Sequence, residues 1–246
     1  RQSERAKIYS QYIKQLLDSG KAFFCYHTRE ELEKEKEEQT AGKKAPRHNC
    51  DEQSRIKDQG SGIIRFHNPG GKIGFNDLIR GEIEFDADLL GDFSIAKSEE
   101  TPLYNLAAAI DDYEMKISHV IRGEDHISNT PKQLLIYQAL GLQPPQYAHL
   151  PMILGPDKSK LSKRHGATSL LEYRDQGYLP EAMFNFLALL GWSPGDNREI
   201  MTREEIIHEF LLENVQKSGA VFNVEKLDWM DGEYIRNMPI DELAKL

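Results

Sequence analysis

Between residues 60 and 97 the sequence breaks into short apolar runs separated by Gly and Asn-Asp. The runs are Ile63-Ile64-Arg65-Phe66, Ile73-Gly74-Phe75, Glu82-Ile83-Glu84-Phe85 and Phe93-Ser94-Ile95. Such short alternation between turn residues predicts a small antiparallel sheet. The flanking texture is different. Residues 1–20 place Ile8, Tyr12, Ile13, Leu16 and Leu17 on one helical face, with Gly20 as a stop. An apolar strand follows at 23–26. Thr28 with Glu31 then fits a capping box, opening a Glu/Lys-rich helix solvated on most sides, with Glu30 and Lys34 as a supporting pair. After the sheet, residues 103–110 and 117–121 read as buried strands. A helix comes next, with Thr130 as cap, Pro131 at its first position, Gln133 completing the box and Gly141 beyond its end. Residues 148–154 read as a strand entering a polar loop, and 180–190, 202–212 (Thr202 and Glu205 as box) and 224–230 as helices. This order is that of a parallel α/β core interrupted by an insertion.

Several classes are excluded at this stage. The 246 residues contain no apolar run near the roughly 18 needed to span a bilayer. Arg1-Gln2-Ser3-Glu4-Arg5 is no signal peptide, and the absence of an initiating Met suggests a fragment or processed chain. Cys25 and Cys50 alone cannot make a disulfide framework, which fits a reducing cytosol. The net charge of −9 argues against a generally basic nucleic-acid binder.

The most informative stretch is Gly155-Pro-Asp-Lys158-Ser-Lys160-Leu161-Ser162-Lys163-Arg164-His165-Gly166, with four cations in seven residues after an apolar run. Such a loop can neutralise charge that builds on phosphoryl groups. It lacks P-loop spacing. A solvated basic loop is the bland alternative.

Lys160-Leu161-Ser162-Lys163-Arg164 resembles the K-M-S-K-S signature of class I aminoacyl-tRNA synthetases, in the form typical of the glutamyl-tRNA synthetase family. Tyr104-Asn105-Leu106-Ala107, Asp111-Asp112, the stretch from Ile117 through Arg122, Glu124, Asp125 and His126 to Pro131, and His149-Leu-Pro151 resemble that family in order and spacing. So do the first five residues and the stretch from Val221 to Met230, so the resemblance covers essentially the whole chain. It implies an α/β fold: a class I Rossmann-like catalytic domain without its N-terminal half (1–24 and 103–154), an inserted α+β acceptor-binding domain (25–102), and the loop with a helical stem-contact domain (155–246). It further implies activation of L-glutamate by ATP with Mg2+, then transfer to tRNA(Glu), by a cytoplasmic monomer without membrane contact.

The same resemblance implies roles for individual residues. Lys160, Lys163 and Arg164 are the catalytic candidates, holding phosphates. Arg122, Tyr104 and His126 are the glutamate-binding candidates, and a guanidinium suits a carboxylate through paired hydrogen bonds. Asp125, Met152 and Ile153 join Lys160 and Lys163 at ATP, the adenine being met by backbone groups of Met152 and Ile153. Ala108 stands where many relatives have a polar residue. The bland alternatives are an ion pair of Arg122 with Glu124 or Asp125, a core tyrosine at 104 and a structural histidine at 126.

Cys25-Tyr-His27 and His48-Asn-Cys50 form two soft-ligand pairs that could complete a tetrahedral zinc site. Some family members carry such a site as C-x-C followed by a Cys and another ligand. With the order shuffled here, a remnant knuckle without metal is the preferred reading. No His-x-Gly-His occurs, so adenylation by this polypeptide alone is not expected. The alternatives are the paralogue that glutamylates queuosine in tRNA(Asp), a glutaminyl-tRNA synthetase and a non-catalytic tRNA-binding module.

Overall fold

The computed structural model describes residues 1–48, 50, 62–162, 164, 166 and 169–244. The chain divides into two compact units. One comprises Arg1–Asp77, Gly81–Val120 and His126–Tyr147, and the other Leu78–Arg80, Ile121–Asp125 and Ala148–Leu246.

The first unit opens with α1 (Ala6–Asp18), which buries Tyr9, Ile13 and Leu16, while Ile8, Tyr12 and Leu17 lie at the margin of the same core. Then come β1 (Ala22–Cys25), α2 (Arg29–Ala41), β2 (Ile63–Phe66), β3 (Lys72–Asp77), β4 (Gly81–Asp86), β5 (Phe93–Ser98) and β6 (Thr101–Pro102). Next are α3 (Tyr104–Glu114), β7 (His119–Gly123), α4 (Thr130–Leu140) and β8 (Gln146–Leu150), β7 belonging to the second unit from Ile121 and β8 from Ala148. All four alternating runs are strands, but they do not form one sheet. β1-β2-β5-β6 is one sheet, and the β3–β4 hairpin belongs to a second, ordered β4-β3-β8-β7, with β3 parallel to β8 at Asp77 and Tyr147. Alternation reports which face of a strand is buried and is silent about its neighbour. A lone hairpin is marginal in water, and pairing to β8 completes it.

Residues 103–110 are not a strand. Leu103 is the extended N-cap of α3, and Leu106, Ala107, Ala109 and Ile110 are its buried stripe. Alanine's helix propensity and the i, i+3, i+4 spacing decide the matter against a short apolar run. Asp111 on α3 accepts from Arg5 Nε at 2.7 Å and lies 2.8 Å from the Tyr9 hydroxyl, tying α3 to the start of the chain. The expected buried strand at 117–121 starts later, and Ile117 and Ile121 are exposed. Thr130 lies inside α4 rather than capping it. The 3-10 turn Glu124–Asn129 runs straight into the helix and leaves Asn129, at helical φ/ψ, in the cap position. Gly141 ends α4 in the left-handed region at φ 67°, with Leu142 N bonded to Tyr137 O at 2.9 Å.

The second unit holds β9 (Ile153–Leu154), α5 (Leu170–Asp175), α6 (Pro180–Ala188), α7 (Arg203–Glu209), β10 (Ala220–Val221), α8 (Val224–Asn237) and α9 (Ile240–Leu243). Pro151, which has no N–H to donate, separates β8 from β9 where one strand was expected. Among the described residues the regular elements from α5 onward are helices except β10, which pairs parallel to β9, and Trp192 and Val215 form an isolated antiparallel bridge. Among the described residues no helix is long and apolar enough to cross a membrane.

Both expected capping boxes form. Thr28 and Glu31 close the start of α2, and Thr202 and Glu205 that of α7. Their stability effects should differ. α7 buries Ile206 against Trp192 and Met201, whereas α2 buries nothing. Thr202→Ala should therefore lower global stability by about 1 kcal/mol in urea unfolding. Thr28→Ala should leave the midpoint unchanged and speed amide exchange in the first turn of α2.

Candidate functional site

The basic segment of the second unit is a braced turn. Leu154 bridges Lys160 antiparallel, and Leu161 N bonds Ile153 O at 2.9 Å. Gly155 N bonds Ser159 O at 2.8 Å across a turn in which Lys158 takes φ 60°. Asp157 Oδ1 accepts from Ser159 N at 2.9 Å and from its hydroxyl at 2.7 Å, while Arg164 donates to Ser159 Oγ at 2.8 Å. Lys160 Nζ reaches Asp125 Oδ2 at 2.6 Å, with the lysine side chain 62% exposed. The loop's third lysine, Lys163, lies outside the described residues.

The β9 end of this turn is held by groups from distant parts of the sequence. Arg80 pairs with Glu124, and Glu124 Oε1 accepts from Met152 N at 2.9 Å. Arg80 Nε also donates to His149 O at 3.2 Å, and Lys217 Nζ to Arg80 O at 3.2 Å. On the other side Ala220 N bonds Met152 O at 3.0 Å and Phe222 N bonds Leu154 O at 2.8 Å. The Met152 amide expected to meet adenine is thus engaged within the unit, while a carbonyl oxygen keeps a second lone pair. Arg122 donates Nε to Nε2 of the buried His149 at 3.2 Å. Glu124 pairs with Arg80, and Asp125 with Lys160. Neither Arg80 nor the Arg122–His149 contact was singled out from sequence. They join residues 69 and 27 positions apart and leave no local pattern.

Tyr104 and His126 meet in the first unit, with Tyr104 Oη 3.3 Å from His126 Nδ1 and Asn129 Nδ2 3.2 Å from the same nitrogen. Tyr104 is 50% exposed, so it is no core tyrosine. The three residues expected at glutamate are therefore divided, Tyr104 and His126 in one unit and Arg122 in the other.

Also in the first unit, the two Cys/His pairs converge. The ligand atoms of Cys25, His27, His48 and Cys50 all lie within 4.8 Å of one another. Cys25 Sγ is 3.5 Å from His27 Nδ1 and 3.6 Å from His48 Nε2, and Cys50 Sγ is 3.6 Å from His27 Nδ1. A zinc tetrahedron with Zn–S of about 2.3 Å and Zn–N of about 2.0–2.1 Å has S···N edges of about 3.5 Å, so the donor set fits that ion. Burial pushes the Cys25 thiol up, but hydrogen bonding to His48 and His27 outweighs it and brings it down to about 5, toward the thiolate a metal requires.

Residues 1–229 match the family model described as tRNA synthetases class I (E and Q), catalytic domain. The chain is 50% identical to a glutamate–tRNA ligase of Natranaerobius thermophilus over all of its own length and 52% of that protein's. It is likewise 50% identical to glutamate–tRNA ligase 1 of Syntrophomonas wolfei. Among solved structures it resembles the glutamate tRNA ligase of Elizabethkingia meningosepticum in complex with its amino acid. That match has a TM-score of 0.85 and 37% identity, over 97% of this chain and 54% of that one. The glutamate-tRNA synthetase of Elizabethkingia anophelis matches with a TM-score of 0.88 and 36% identity, over 100% and 56%. The chain spans about half the length of the curated relatives it matches.

Proposed function

Because this chain belongs to the family of class I tRNA synthetases for glutamate and glutamine, we propose that it serves the ATP-dependent activation of L-glutamate and its transfer to the 3′ end of tRNA(Glu). One observation carries the reading: a cationic turn held in shape by its own hydrogen bonds, with Lys160 poised on Asp125. In the first step a carboxylate oxygen of glutamate attacks the α-phosphorus of ATP. The α–β anhydride bond breaks, leaving glutamyl-adenylate and pyrophosphate. In the second a terminal hydroxyl of the tRNA attacks the acyl carbon and AMP leaves. Two anions must meet in the first step and a third departs, so fixed positive charge near the phosphates lowers the barrier more than a general base would. Lys160, Lys163 and Arg164 supply that charge to the triphosphate, which enters with Mg2+. Arg122 is the residue of the second unit that would offer its guanidinium to a carboxylate of the amino acid, from a strand and hydrogen-bonded to His149, and Tyr104 and His126 are the glutamate-binding candidates of the first unit.

Cys25, His27, His48 and Cys50 would hold a structural zinc ion, which when bound supplies a cross-link between Cys25 at the end of β1, the following His27, and the residues His48 and Cys50. Its role is in folding of the acceptor-binding part. The relatives matching the whole chain are named glutamate–tRNA ligases, which favours this reading over the queuosine-modifying paralogue. The deciding assay charges tRNA with labelled glutamate, using the full-length protein that carries this chain. Glutamyl-tRNA(Glu) is the expected product. Labelling of queuosine-containing tRNA(Asp) without tRNA(Glu) overturns the proposal, as does labelling of neither.

A further inference from the structure

The helix α2 buries no residue, so apolar packing does not explain how it is held. Its polar face does. Gln39 clamps the backbone of Arg47, receiving Arg47 N on Oε1 at 2.6 Å and donating Nε2 to Arg47 O at 2.7 Å. One turn earlier on the same face, Glu35 Oε2 lies 2.6 Å from His48 Nδ1, and Gln39 Nε2 steadies the other oxygen of Glu35 at 3.2 Å. The His48 side chain is only 10% exposed and that of Glu35 34%. Both nitrogens of this imidazole are thus committed. An ionised carboxylate only accepts, so Nδ1 carries the proton that Glu35 receives, and Nε2, 3.6 Å from Cys25 Sγ, is the nitrogen left to face the cluster and to ligate a cation once it gives up any proton of its own. A metal-bound histidine is characteristically held in this way, with a carboxylate behind the ring fixing its tautomer and raising the basicity of the ligating nitrogen.

We propose that Glu35 is the positioning residue of the metal centre, setting the tautomer and orientation of His48, and that a thiophilic divalent cation of the zinc class anchors α2 through the His48–Glu35 bond. This rests on the zinc reading of Cys25, His27, His48 and Cys50 given above. It gives the Glu/Lys-rich helix a purpose that its sequence, which reads as a solvated face, does not reveal. Metal and helix then stabilise each other: closing the centre orders α2, and removing Glu35 loosens one of the four ligands.

The test compares the purified protein with Glu35→Ala, Glu35→Gln and, as a control on the same helix, Glu38→Ala, whose side chain is exposed. Zinc affinity is measured by chelator competition, the visible spectrum after loading with Co2+, and amide exchange across α2 with and without metal. Glu35→Ala should weaken zinc about 10- to 100-fold and alter the cobalt ligand-field bands. Glu35→Gln, which keeps an acceptor for Nδ1–H, should recover most of the affinity, and Glu38→Ala should match the parent. In the parent, chelation should speed exchange of the α2 amides, and in Glu35→Ala that response should be lost. Unchanged affinity and cobalt spectrum in Glu35→Ala would overturn the role of Glu35 and leave the metal site standing. Failure of the parent to bind zinc or cobalt stoichiometrically would overturn both.

Discussion

Lys160→Ala should slow glutamate-dependent ATP–pyrophosphate exchange by the full-length protein by roughly 10²–10³-fold, the usual cost of losing one group aimed at transition-state charge. The effect belongs in the rate constant, with KM for glutamate nearly unchanged, because Lys160 faces the phosphates in this reading and the amino acid is held by other residues. The fold should survive. Lys160 is largely exposed and its partner Asp125 partly so, and an ion pair of that kind contributes at most about 1 kcal/mol. That weakness suits the function, since the lysine can exchange a carboxylate for a phosphate at little cost. Lys160→Arg should restore only part of the rate, because a planar fork does not reproduce a compact ammonium. A variant with parental exchange kinetics and parental stability would remove Lys160 from the catalytic set.

Glu124→Ala should be the most destabilising of the substitutions considered. Glu124 is the middle of a chain of contacts, pairing with Arg80 and receiving the Met152 amide at 2.9 Å. The side chains are 18% exposed for Arg80 and 25% for Glu124. Truncation leaves a poorly hydrated guanidinium and an amide without its acceptor, a loss of about 2–3 kcal/mol after allowing for partial exposure. The second unit should then unfold earlier in thermal or urea denaturation. Exchange activity should fall as well, because the β9 end of the cationic turn loses its brace at Met152. Adding Arg80→Met to Glu124→Ala should return part of the stability, since the stranded charge is gone. Denaturation of Glu124→Ala within about 0.5 kcal/mol of the parent, the range of ordinary surface changes, would show that the network does not brace the turn.

How far these features can be read without coordinates depends on the distance over which each is encoded. Thr28 with Glu31, Thr202 with Glu205 and Gly141 are written within four residues of what they cap, and each performs as read. Thr130 carries the same local signal and does not cap, because a preceding 3-10 turn takes the position. Residues 103–110 look like a strand only when their length and apolarity are weighed above the spacing of the buried positions and the helix propensity of three consecutive alanines. The division of the insert's strands between two sheets has no local signal at all, since strand pairing is settled by competition among distant edges.

The site follows the same rule. The net charge of −9 discouraged a nucleic-acid partner, yet phosphate contacts need local cations, and residues 158–164 concentrate four of them. That cluster and the two Cys/His pairs are visible in the sequence because they are contiguous or nearly so. Their surroundings are not. Arg80 and Glu124 are 44 positions apart, Arg122 and His149 are 27 apart, and Glu35 sits in a helix whose composition reads as solvent-facing. By itself, then, the sequence determined the element types with strong local periodicity, the cationic turn and the family. Tertiary structure alone decided which carboxylate holds which cation, which sheet each strand joins, and that four separated thiol and imidazole groups share one small volume. The physical reason is range: caps, turns and helical stripes act over a few residues, whereas ion pairs, strand edges and metal ligands find partners by proximity in space.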